Sequence, residues 1–196
     1  MMKNFIRRLF GRFYLVSHSD VLSYKGSWRK GSFHGYGVLE YSNGGLYKGD
    51  FKSGVKHGFG VYTSASGFRY EGEWSDGEQT GLAKISYKNG DWYEGAVKNG
   101  VRCGVGELSE LSSQRIFKGN WQNGSLVGDI QITSSDWKYS GTIPDPHGYA
   151  NGNLTYPDGS VYVGELSAYT RNGKGTYFSA SGSQIEGEWS DDMNVD

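Results

Sequence analysis

His34 and His57 are the first residues to suggest chemistry, because each opens a His-Gly-x-Gly block in the same sequence context, with Thr80 and Cys103 at the same position further on. Two imidazoles in step could hold a transition metal. The spacing argues otherwise: equivalent positions of successive hairpins lie roughly 10 Å apart, two strand spacings, whereas zinc ligands must converge within ~4 Å. No metal site is expected, and a histidine beside glycine reads as a turn or backbone hydrogen-bond partner. Glu71 and Glu73 share a strand face by alternation and could do acid–base work. The pair recurs as Glu186 and Glu188, and recurrence marks a solvated face. The chain holds no Gly-x-Ser-x-Gly elbow and no phosphate-binding P-loop, and its single cysteine, Cys103, makes no convincing pair with a histidine. Neither catalysis nor a cofactor is expected.

A repeat must position these side chains. Tyr24-Lys-Gly26-Ser-Trp28 returns as Tyr47-Lys-Gly49-Asp-Phe51 and Tyr70-Glu-Gly72-Glu-Trp74. It continues as Tyr93-Glu-Gly95-Ala-Val97, Phe117-Lys-Gly119-Asn-Trp121, Tyr139-Ser-Gly141-Thr-Ile143 and Tyr162-Val-Gly164-Glu-Leu166, and closes with Ile185-Glu-Gly187-Glu-Trp189. Successive starts are 23, 23, 23, 24, 22, 23 and 23 residues apart. Eleven residues after each start stands Gly35, Gly58, Gly81, Gly104, Gly128, Ala150 or Gly173.

Side chains alternate along a strand, so the first, third and fifth positions share a face. That face carries an aromatic, a glycine and an aromatic, and the glycine leaves a gap for a neighbouring ring. Turn signals follow each strand: Arg29-Lys30-Gly31 or Ser75-Asp76-Gly77 after the first, Asn43-Gly44, Asn89-Gly90 or Asp158-Gly159 after the second. Each unit therefore predicts one β-hairpin. Pro144 and Pro146 stand where the turn of the sixth unit belongs; proline cannot donate to a ladder, so that hairpin should be irregular.

Composition agrees. Glycine supplies 32 of 196 residues and aromatics 15%, within a hydrophobic share of only 36%. Disordered chains are poor in aromatics, and a compact globule would hold more aliphatics, so a thin extended sheet packed through its rings fits best. Charge is balanced at 20 basic against 21 acidic residues, which argues against nucleic acid as a partner. No run approaches the ~18–20 apolar residues of a membrane span.

Residues 1–23 read differently. Phe5, Ile6, Leu9, Phe10, Phe13 and Val16 share one side of a helical wheel, and Lys3, Arg7, Arg8 and Arg12 take the rest, with Asp20 the only acid. A short helix at 3–16 is expected. Three uses are open: a cap on the end of the array, an anchor on anionic lipid through those four basic residues, or a mitochondrial-type targeting segment. Residues 190–196 read as an acidic tail.

The repeated Tyr-x-Gly-x-Trp, with His34-Gly35-Tyr-Gly37, His57-Gly58-Phe-Gly60 and the turn glycine Gly77, resembles the MORN repeat over residues 24–189, in about seven and a half units. The resemblance implies an all-β fold: a single-layer twisted antiparallel sheet of sequential hairpins, curled into a half-pipe with an aromatic-lined concave groove and no catalytic residues. It also implies an organising role, attaching proteins to each other, to cytoskeleton or to membrane. The expected function is a non-enzymatic adaptor, cytoplasmic and cytoskeleton- or membrane-associated, docking a peptide or helix in that groove. Tyr24, Trp28, Tyr47, Phe51, Tyr70 and Trp74 would anchor it, since aromatics dominate interface hot spots. Two alternatives stay open: a peripheral protein binding anionic phospholipids through its basic N-terminal helix, and a regulatory repeat subunit of a separate enzyme. Homodimerisation is also open.

Overall fold

Two-residue turns set the architecture. Lys30-Gly31, with φ of 49° and 79°, and Asp76-Gly77, with 51° and 90°, hold both residues in the left-handed region, as do Ser53-Gly54, Asn99-Gly100 and Asn123-Gly124. This is the type I′ geometry, whose twist matches that of the strands it joins. Each such turn closes one hairpin. The computed structural model describes residues 21–196, and every regular element among them is a strand. The expected helix at 3–16, with Lys3, Arg7, Arg8 and Arg12, lies outside the described residues.

The described residues divide into two compact units, the first ending at Lys88 and the second running Asn89–Asp196. In the first, three hairpins follow in chain order: β1 (Val21–Arg29) with β2 (Ser32–Tyr41), β3 (Leu46–Lys52) with β4 (Val55–Thr63), and β5 (Arg69–Ser75) with β6 (Glu78–Ser86). Each strand pairs antiparallel with the next, giving one open layer. The second unit repeats the plan with β7 (Trp92–Lys98), β8 (Val101–Glu110), β9 (Arg115–Gln122), β10 (Ser125–Thr133), β11 (Lys138–Thr142) and β12 (Tyr149–Thr155). It ends with β13 (Val161–Ser167), β14 (Thr170–Phe178), β15 (Gln184–Ser190) and β16 (Met193–Asn194), again paired in order. The acidic tail thus contains a strand, with Trp189 opposite Asn194.

A second local device bends each hairpin. Gly35 at φ +61°, Gly58 at +62° and Gly81 at +64° are left-handed, and the ladder of their hairpin shifts register beside each of them. Glycine takes this conformation without steric cost, and an extra residue here makes a bulge. Repeat six has Ala150 instead. Its ladder runs without a shift to Gly141 opposite Gly152, and residues 143–148, with Pro144 and Pro146, form an open loop. Asp145 closes that loop by accepting the His147 and Tyr149 N–H groups at 2.8 and 2.9 Å.

A single layer has no second sheet to cover it, so the core is one face of the strands. Tyr47, Tyr70, Tyr93 and Tyr162 are fully buried there. At Gly26, Gly49, Gly95, Gly141 and Gly164 the glycine makes room for the tyrosine of its own strand, not for a neighbouring strand's ring as the sequence suggested, whereas Gly72 faces Ala83 of the next strand. A Cβ on Gly49 would lie 2.7 Å from Tyr47 Oη and 2.5 Å from Gly60 Cα. The ring therefore lies flat over two facing glycines, and its hydroxyl reaches the backbone three residues on. Tyr24, Tyr47, Tyr70, Tyr93, Tyr139 and Tyr162 donate in turn to the carbonyls of Ser27, Asp50, Glu73, Ala96, Thr142 and Glu165, at 2.6–3.0 Å.

Candidate functional site

The six expected anchors lie in the first unit, and the fold brings them together as one ladder of rings. Tyr47 meets Phe51 at 5.1 Å and Trp74 at 5.2 Å, and Tyr70 meets Trp74 at 5.1 Å, all edge to face. The Tyr47–Trp74 contact ties the second hairpin to the third, while the other two pack rings along one strand. Tyr24, Tyr47, Phe51, Tyr70 and Trp74 are buried; only Trp28 is substantially open, at 48%. Trp28 packs its edge on Tyr24 at 5.3 Å and Phe33 at 4.9 Å. The polar tips are engaged as well: Trp74 Nε1 donates to the Gly60 carbonyl at 3.2 Å. Burial pushes the Tyr41 and Tyr70 hydroxyls up to about 12 and Tyr47 higher still. Five of the six rings are thus occupied with one another.

The other face of the same hairpins is open. Tyr36, Phe59 and Leu82 each stand twelve residues after the opening tyrosine of their repeat, and they are 62%, 54% and 67% exposed. Tyr36 lies opposite Asp50 on β3, and Phe59 opposite Glu73 on β5. Glu73 Oε1 also accepts the Leu82 N–H at 3.1 Å, across the bulge. The result is an apolar row, one residue per hairpin, with carboxylates beside it. In the second unit only Val105 is apolar at this position, and Asp129, Asn151 and Lys174 follow. A signal for this row was present in the sequence: an apolar residue between the bulge glycine and the next core position has the parity opposite to the tyrosines.

The remaining candidates do not assemble. Among the described residues no three His, Cys, Asp or Glu side chains group as metal ligands. His57 Nδ1 is buried without a hydrogen-bond partner there, and Cys103 is a free thiol. Glu71 pairs with Arg69 at 2.6 Å while Glu73 caps the bulge, so the two carboxylates serve separate partners.

The family model for the MORN repeat matches residues 24–46, 47–69, 70–92, 93–109 and 162–184, more than half of the chain. No curated protein matches the sequence. Among solved structures, the TCP10c domain of Drosophila melanogaster Sas-4 is similar at a TM-score of 0.50 and 16% identity, over 80% of this chain and 93% of that one. A point mutant of the TCP10 domain of Danio rerio CPAP gives a TM-score of 0.47 and 12% identity, over 79% of this chain and 72% of that one. At such identity the first likeness bears on fold alone.

Proposed function

Since the chain belongs to the MORN-repeat family, we propose that it is a non-enzymatic interaction scaffold that docks an amphipathic segment of another protein on the open face of its first unit. One observation carries this reading: three successive hairpins expose a large apolar side chain at one repeat position, Tyr36, Phe59 and Leu82. Contiguous exposed apolar surface on a folded chain marks an interaction site. The rows are spaced by two strands, roughly 10 Å. An α-helix presents the same face every seven residues, about 10.5 Å, so a helix with apolar residues at that interval would meet the row in step. Asp50 and Glu73 would border the contact as a polar rim.

The rings first expected to anchor the partner support the surface from behind. Replacing Phe59 and Leu82 together by serine tests the reading. Both side chains are exposed, so stability should change by no more than about 0.5 kcal/mol each, while a partner held by the wild type should be lost at least about tenfold, the scale of a hot spot. Equal retention of that partner by the double variant, with its fold intact, would remove the open face from the function.

A further inference from the structure

Lys56 stands on β4, nine residues after the opening tyrosine of its repeat, and its side chain turns onto the ring face. Its Nζ lies 4.4 Å from the ring centre of Trp74, 5.1 Å from Tyr62, 5.2 Å from Tyr47 and 5.3 Å from Tyr41. No carboxylate pairs with it within the described residues. Burial pushes the amine down to about 8, and the more distant Glu78 draws it back up, so it remains mostly protonated at neutral pH. A half-buried ammonium with no counter-ion in contact is held here by aromatic faces, and cation–π attraction grows as such a cation loses water.

The other repeats show that this is a position with a rule. Arg102 lies 4.2 Å from the centre of Trp121 and 5.7 Å from Tyr93. Arg171 lies 4.5 Å from Trp189 and 5.2 Å from Tyr177. Elsewhere the same position is Phe33, Gln79, Leu126 or Gly148, and the fifth position of the following repeat is then Phe51, Val97, Ile143 or Leu166. A cation stands at this position whenever the next repeat brings a tryptophan, and at no other. Arg102 and Arg171 also donate to backbone carbonyls, of Gly124 and Asp192. Lys56 has only its rings.

We propose that the cage of Tyr41, Tyr47, Tyr62 and Trp74 is an alkylammonium-binding site, filled in cis by the Lys56 side chain. It would accept a primary or methylated ammonium of lysine-like size once that side chain is withdrawn.

Lys56→Ala removes a propylammonium's worth of side chain, so n-propylammonium chloride is the matching probe. It should raise the melting temperature of the full-length variant by about 2–4 °C over an equal concentration of sodium chloride and bind saturably by calorimetry. The wild type should respond to neither salt differently, and 1-propanol should not reproduce the effect. A gain matched by 1-propanol or by sodium chloride, or no gain at all, would overturn the proposal. If Lys56→Ala does not fold, Lys56→Arg and Lys56→Met decide. Arginine should hold the wild-type melting temperature, and methionine, of similar length but uncharged, should lose about 2–4 °C. A methionine variant as stable as the wild type would equally refute a site built for a cation.

Discussion

A β-carbon added to Gly49 would meet the Tyr47 hydroxyl and the Gly60 backbone at once. Backbone cannot move aside cheaply, so Gly49→Ala should destabilise by about 1–3 kcal/mol, the usual cost of overpacking. Urea unfolding reads this directly; an unchanged midpoint would mean that the ring finds another seat. The hydroxyl end of the same motif is worth less. Tyr70 Oη donates to Glu73 O at 2.8 Å and Thr80 O at 3.2 Å. Tyr70→Phe should therefore cost about 1 kcal/mol, keeping the ring and losing only the bond. Trp74 joins both kinds of tie, ring contacts and an N–H bond to Gly60 O, so any change at this residue acts on stability before it can act on a partner.

Hairpin turns show local and tertiary preferences in conflict. Most first turns carry glycine at the second left-handed position, but the β13–β14 turn is Ala168-Tyr169 at φ 49° and 67°. A left-handed non-glycine residue costs about 1–2 kcal/mol. The Tyr169 ring stacks on Trp137 at 5.1 Å, meets Tyr139 edge-on at 5.3 Å and lies under the Arg115 guanidinium at 5.4 Å. Tyr169 is half-buried, so its burial contributes part of the about 1.5–3 kcal/mol of a fully buried large side chain, and each ring pair adds about 0.5–1.5 kcal/mol. Packing wins. Tyr169→Gly, which improves the turn, should still lower stability by about 1–3 kcal/mol in thermal melts of the full chain; a stabilised variant would reverse that ranking. The proline loop of β11–β12 is the complementary case, since a missing N–H is a local fact that no packing can restore.

Within each unit the single layer buries its tyrosines on one face, as where Tyr47 lies flat on Gly49 and Gly60 beside Trp74 of the next hairpin, and Tyr93 lies on Gly95 and Gly106 beside Trp121. Burial holds Tyr41, Tyr70 and Tyr162 protonated up to about 12, against about 10 in an unfolded chain. Their folded values are raised, so the stabilisation is complete below pH 10 and is lost as pH rises towards 12, where the unfolded chain gives up protons first. Melting temperature should fall steeply across that interval, with tyrosinate absorbance of the folded protein lagging behind that of the unfolded. Tyrosinate appearing near pH 10 without loss of structure would show that water reaches these rings.

The amino-acid sequence alone determined the hairpins, their order and their joints. Asn-Gly and Asp-Gly demand left-handed turns, a glycine eleven residues into each unit demands a bulge, and Ala150 marks the one hairpin without it. These are properties of backbone dihedrals and hydrogen-bond donors within a few residues. Period-two alternation also assigned the rings to one face; the row of Tyr36, Phe59 and Leu82 on the other came from the structure. Spacing could not say which face stays open. Alternation carries no sign for burial, and exposure depends on what each ring meets across strands: Tyr47 on Trp74, Lys56 over both, Trp28 on Tyr24 and Phe33 yet half open. Only the tertiary structure decided that. Of the six rings expected as anchors, five are buried among one another in the single layer and Trp28 stays half open, a distinction that depends on contacts between strands rather than on spacing.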